Sequence, residues 1–148
     1  DPVLSRGLGD VYKRQIYGSP KYLEKNGFPK NISDLNKHSF ISFGRGAPSP
    51  VYNPDWALKL GTKDNKKRKT VMKVNSVYGL LLAVQSGVGL AALPDYITVN
   101  QPNIVKVLPN IEGPITEAHF VYPQSMKNVA RVQAFRNFLY SKISEWEF

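Results

Sequence analysis

The chain contains no cysteine. That excludes disulfides, cysteine-ligated zinc and thiol catalysis, and says little about compartment. Histidine is nearly absent too, with only His38 and His119. No His-x3-His or His-Glu-x2-His spacing occurs, so no metal site is expected. There is no Gly-x-Ser-x-Gly elbow. Neither a Gly-Lys-Ser/Thr phosphate loop nor a Gly-x-Gly-x2-Gly dinucleotide fingerprint is present. Gly87-Val88-Gly89 comes nearest, but it follows a helix pattern instead of opening one. The acids other than Asp1 and Asp10 are scattered without an acid/base pair. No catalytic residue and no cofactor is therefore expected, and an enzyme is the least favoured class. No apolar run reaches the roughly 18 to 20 residues that a membrane span needs, so no membrane partner is expected.

Acidic residues are also in short supply. Twenty Lys and Arg face eleven Asp and Glu over 148 residues, a formal charge of +9. Such a balance favours anionic partners. Five of the cations (Lys63, Lys66, Lys67, Arg68 and Lys69) fall in one short segment. It reads as a solvated loop, with direct nucleic-acid contact as the competing reading. The segment has no interleaved aromatics to stack on bases, which weakens that competitor.

What is present is an alternation of strand and helix patterns. Residues 1–15 show no period of 2 or 3.6. They resemble a translated sequencing-adaptor stretch and are read as a non-native or disordered tail. The domain is then expected to span residues 16–148, with sequence missing upstream. Ile16 and Tyr17 end a strand. Ser19 caps a short helix with Pro20 at its first position, and Gly27 ends it. Ile32 and Leu35 face inward from a further helical turn. His38 is expected to be exposed after it. Residues 39–43 form a strand and 45–54 a proline-rich loop. Trp56, Leu58 and Leu60 alternate, which predicts a strand over 55–60 paired in a hairpin with 70–74, the basic loop at its tip.

Residues 74–97 are the organising stretch. A strand ends at Val74. Asn75 and Ser76 offer helix caps, Asn75 being read first as an N-cap. An apolar helix runs to Gln85, Gly87 suits a left-handed residue past its end, and a short strand stops at Pro94. Strands follow at 103–108 and 115–122, the latter holding His119 as a structural histidine. From Asn128 one long helix carries Val129, Val132, Phe135, Phe138, Leu139, Ile143 and Trp146 on a stripe expected to pack in a core. The class is α/β with a mixed sheet. In such sheets ligands collect at the carboxyl ends of strands. Polar groups at strand ends and helix N-termini (Ser19, Ser42, Asn75 and Ser76) are therefore the binding candidates. Ends at Phe43, Val74 and Pro94 converging on one edge would form half a pocket, and capping accounts for each residue taken alone.

These residues resemble a known family. Tyr17-Gly-Ser-Pro-Lys-Tyr-Leu, Gly27-Phe-Pro and Asp34-Leu with His38 are similar to the start of the second lobe in LysR-type transcriptional regulators. Asn75-Ser76 followed by Ala83-Val-Gln-Ser-Gly-Val-Gly-Leu-Ala-Ala-Leu-Pro94 resembles that family's effector-domain signature. Val107-Leu108-Pro109, and Tyr122-Pro123 before a final helix with Phe135 and Phe138, also match. The resemblance implies a periplasmic-binding-protein-like (type 2) effector domain, here mainly the second lobe with the returning C-terminal helix, which in full-length members packs back on the first lobe, so part of its apolar stripe is expected to be exposed. A small molecule, often a carboxylate, binds between two lobes and modulates a DNA-bound homo-oligomer in the cytoplasm. DNA is contacted only through an N-terminal helix-turn-helix that this chain lacks.

By the same resemblance Ser19, Ser42, Phe43, Asn75, Ser76, Val77 and Pro94 line the effector cleft, and the helix over 76–85 is a candidate dimer face. Many members carry Asn-Asp where this chain has Asn75-Ser76. Losing that acid favours an anionic effector at a helix N-terminus. As half a pocket, the chain alone is expected to bind its effector weakly or not at all. The alternative from another class is a solute-binding protein of a transport system, which shares the two-lobe architecture.

Overall fold

A computed structural model describes residues 3–44 and 53–145. In chain order the elements are β1 (Val3–Tyr12), β2 (Arg14–Gly18), α1 (Pro20–Asn26), β3 (Phe40–Phe43), α2 (Trp56–Lys59) and β4 (Thr70–Val74). Then come α3 (Val77–Gln85), β5 (Ala91–Pro94), β6 (Val105–Val107), β7 (Thr116–Pro123) and α4 (Ala130–Ser144). They divide into two compact units, Lys13–Pro114, and Asp1–Tyr12 with Ile115–Phe148.

The Lys13–Pro114 unit is built on a mixed sheet. β5, β2 and β6 pair in that order, with β2 antiparallel to both neighbours. β3 and β4 pair in parallel. A parallel bridge from Phe40 to Leu90 joins the two groups, with Ile41 N–H donating to the Leu90 carbonyl at 2.8 Å. The chains run this close because Gly89 has no side chain: a Cβ there would lie 2.6 Å from the Ser39 carbonyl oxygen. Strand side chains alternate between faces, and the core follows that period. Ile16, Phe40 and Leu90 join Leu35, Trp56 and Leu58 on one face. Tyr17, Ile41, Phe43, Ala91 and Leu93 join the α3 residues Leu80, Leu81 and Val84 on the other.

Local signals set the helix ends. Ser19 Oγ accepts from Tyr22 N–H and Pro20 stands in the first turn. Asn31 and Asp34 form a reciprocal capping box on the Ile32–Lys37 turn. α3 starts on Ser76, whose Oγ accepts from Gly79 N–H at 3.3 Å. It ends on Gly87 at φ 78°, with Gly87 N–H donating to Val84 and Val88 N–H to Ala83. Those two bonds form a Schellman motif, which needs a left-handed residue at that point.

Several expectations are corrected. Residues 55–60 are not a hairpin strand. Trp56, Ala57 and Leu58 are consecutive and all buried, which a helical turn achieves and a one-sided strand does not, so α2 forms there. β4 pairs instead with β3, across a crossover. The cap of α3 is Ser76, not Asn75. β2 begins at Arg14, and Arg14 and Gln15 are buried with it. The proline-rich loop at 45–54 falls largely at 45–52, outside the described residues.

In the other unit β1 and β7 pair antiparallel, from Val3 with Pro123 to Tyr12 with Thr116. Phe135 of α4 meets Phe120 of β7 edge-on at 5.8 Å. The stripe is not packed as a core: no described residue of α4 is buried, and Phe135 and Phe138 are more than half exposed, while Val132, Leu139 and Ile143 are half-buried. A two-stranded ribbon offers too little apolar surface to cover a 15-residue helix. Trp146 lies outside the described residues.

Candidate functional site: the strand-end edge

β3, β4 and β5 all run in the same direction, so their carboxyl ends share one edge of the Lys13–Pro114 sheet. Register fixes the neighbours there. Ser42 stands opposite Lys73 and Phe43 opposite Val74. Gly44 N–H donates to the Val74 carbonyl at 2.8 Å, which holds the backbone of Gly44 against Asn75. Asn75 and Ser76 are exposed, Val77 is half-buried, and Ser42, Phe43 and Pro94 are buried. Six of the seven predicted site residues (Ser42, Phe43, Asn75, Ser76, Val77 and Pro94) therefore lie at this edge.

Ser19 does not. It follows β2, which runs antiparallel to β5, so it lies at the opposite edge, with Gly87 close to its Oγ. Its hydroxyl is buried and accepts from Tyr22 N–H. Its place in the structure is that of a helix cap.

The N-terminus of α3 brings the positive end of its dipole to this edge. The first helical bond runs from Leu80 N–H to the Ser76 carbonyl, so the N–H groups of Val77 and Tyr78 precede the helical ladder. No acidic residue lies in the first turn of α3. Beside it, Ser42 and Phe43 line a cavity of about 310 Å³ together with Asp55, Lys69, Thr70 and Lys73. Asp55 is engaged by Lys67 at 2.9 Å through one carboxylate oxygen, and its other oxygen is buried without a partner. Lys69 and Lys73 are exposed and supply cations to the opening. Sequence reasoning missed Asp55, Lys69 and Lys73. Only the β3–β4 register puts Lys73 beside Ser42, and an assumed hairpin hid it.

Arg68 does not belong to a solvated loop. It is buried instead. Its guanidinium donates to Asn36 Oδ1 at 2.9 Å and the Ala57 carbonyl at 3.0 Å, and stands 6.0 Å from the centre of the Phe40 ring. Burial lowers its pKa, but an arginine starts so far above neutrality that it stays charged.

His38 was expected to be exposed. It is half-buried, its ring tilted against Tyr22 at 5.7 Å. Burial lowers its pKa, Asp34 opposes that shift and Lys37 adds to it. The folded value then lies below the unfolded one, so the unfolded chain binds the proton more readily. Stability is full above the ordinary imidazole value of about 6.5 and falls as pH drops through the folded pKa. Urea midpoints measured on acidification from neutral pH are expected to decline, and His38→Gln to flatten that decline. An unchanged slope in the variant contradicts the assignment.

Among the described residues no three His, Asp or Glu side chains cluster as a metal site, and no helix is long and apolar enough to cross a membrane.

Comparison with known proteins agrees with this architecture. The profile of the LysR substrate binding domain matches residues 10–143. An HTH-type transcriptional regulator of Haemophilus influenzae is 32% identical over 125 residues, covering 82% of this chain and 42% of the relative. The regulator YhjC of Escherichia coli is 26% identical, covering 99% of this chain and 49% of the relative. The chain thus spans less than half the length of either. Among solved structures, the regulatory domain of the LysR-type regulator CrgA from Neisseria meningitidis superposes with a TM-score of 0.78 at 21% identity, over 95% of this chain and 69% of that one. The regulatory domain of AphB from Vibrio vulnificus gives 0.67 at 18%, over 94% and 69%. The mixed α/β architecture is therefore that of the periplasmic-binding-protein-like type 2 fold, and the chain belongs to the LysR substrate-binding domain family.

Proposed function

We propose that this chain is the effector-sensing part of a cytoplasmic LysR-type transcriptional regulator, and that its effector is a small anion, a carboxylate foremost. The observation that carries the reading is that three parallel strands end at the edge of the sheet from which α3 starts. Asn75 and Ser76 offer hydrogen-bonding groups there and the helix dipole favours negative charge, while Ser42 and Lys73 add a hydroxyl and a cation on the other face of the same strand ends. A transport protein with the same lobes is disfavoured because both curated relatives are regulators. DNA contact belongs to the helix-turn-helix that full-length relatives are named for. Tyr78 and Leu82, exposed four residues apart on α3, are the proposed contact between copies, through which effector binding biases the DNA-bound oligomer.

The reading is tested by calorimetric titration of a panel of small carboxylates into the complete regulator. One member of the panel is expected to bind, and Asn75→Ala and Ser76→Ala to weaken it by about 1–2 kcal/mol each, the size of a lost hydrogen bond to a charged group. Unchanged affinity in both variants removes the edge from consideration.

A further inference from the structure

The basic segment after α2 divides into a buried part and an exposed part. Arg68 is held by Asn36 and the Ala57 carbonyl, and Lys67 is paired with Asp55. Lys63, Lys66 and Lys69 are exposed and enter no ion pair among the described residues. All five line a cleft of about 620 Å³ whose opposite wall is Asn36 and His38, and among the described residues no carboxylate lines it. Nδ1 of His38 is buried without a hydrogen-bond partner.

Gathering like charges around a concavity is unfavourable unless an anion offsets them. The cleft's size falls in the range of small-molecule sites, about 300–1,000 Å³. Apart from the His38 imidazole it has no aromatic wall on which a base could stack. The anchored Arg68 side chain gives it a fixed floor. We propose that this cleft binds a compact polyphosphate, a small ligand with two or more phosphate groups, with Lys63, Lys66 and Lys69 as its charge partners. The cleft adjoins the strand-end cavity, the two sharing Lys67, Arg68 and Lys69 as a common wall. Lys63 and Lys66 belong to the cleft alone, and binding there does not depend on the identity of the effector.

The test uses inorganic tripolyphosphate as the probe, titrated into the 148-residue chain near neutral pH and followed by calorimetry and by amide chemical shifts. Saturable binding of one tripolyphosphate per chain is expected, with shifts centred on Thr62 and His38. Lys63→Glu combined with Lys66→Glu should weaken it by about tenfold or more, since each reversal replaces an attraction with a repulsion. Lys21→Glu combined with Lys106→Glu changes net charge equally at remote exposed positions, and should change affinity by no more than about twofold because salt screens distant charges. Equal weakening by both pairs, shifts scattered over the surface, or no saturation overturns the proposal. So does displacement of the probe by a short DNA duplex at lower phosphate concentration, which assigns the patch to nucleic acid. The shifts in the unsubstituted chain decide the matter should a variant fail to fold.

Discussion

Arg68→Ala is expected to destabilise the Lys13–Pro114 unit by about 3 kcal/mol, read as a fall in the urea unfolding midpoint at neutral pH. Two costs combine. The Ala57 carbonyl, a buried acceptor, loses its donor, which costs about 1–3 kcal/mol, and the exposed Asn36 amide loses its partner to water. The guanidinium also leaves its place over the Phe40 ring. Arg68→Lys should recover little of this, because an ammonium cannot reach acceptors in two directions as the guanidinium fork does. A loss below about 1 kcal/mol in the alanine variant, the value typical of surface changes, means that the side chain is not the anchor described.

Phe40→Ala carries the other large expected effect, about 3–5 kcal/mol by the same measurement. The ring is fully buried among Leu35, Leu90 and Trp56. It sits where the β3–β4 pair meets β5 through the bridge to Leu90. Removing it opens a cavity at the join between the two parts of the sheet. Because Arg68 stands over the ring, the two substitutions should be less than additive when combined, as neighbours that share a contact are. Strict additivity contradicts their coupling.

The parts of the fold that were legible in the sequence are those set by short-range chemistry. Ser19 with Pro20, Gly27 past α1, and Gly87 past α3 all sit where their capping and backbone preferences require. The strand at 40–43 and the buried face of α3 follow from apolar pattern. What failed depended on partners distant in sequence. Trp56, Leu58 and Leu60 alternate, yet one helical turn buries the same residues, and only the rest of the core decides between them. The pairing of β4 with β3 is invisible from either strand alone. The apolar stripe of α4 reads as core wherever a partner surface exists, and the ribbon of β1 and β7 does not supply enough of one.

The site divides in the same way. Ser42, Phe43, Asn75, Ser76, Val77 and Pro94 were found by a rule about strand ends, and the strands concerned are parallel. Ser19 obeys the cap half of that rule but follows an antiparallel strand, and so lies at the far edge. Lys73 and Asp55 became visible only through register and packing.

The central claim, that the strand-end edge holds the effector, is tested most directly by a crystal structure of the complete regulator with its effector bound. The account predicts the anionic group of the effector at hydrogen-bond distance, about 3 Å, from Ser76 or Asn75 at the N-terminus of α3, with the ligand body against Ser42 and Phe43. An effector seated elsewhere, with no atom near Ser42, Asn75 or Ser76, contradicts it.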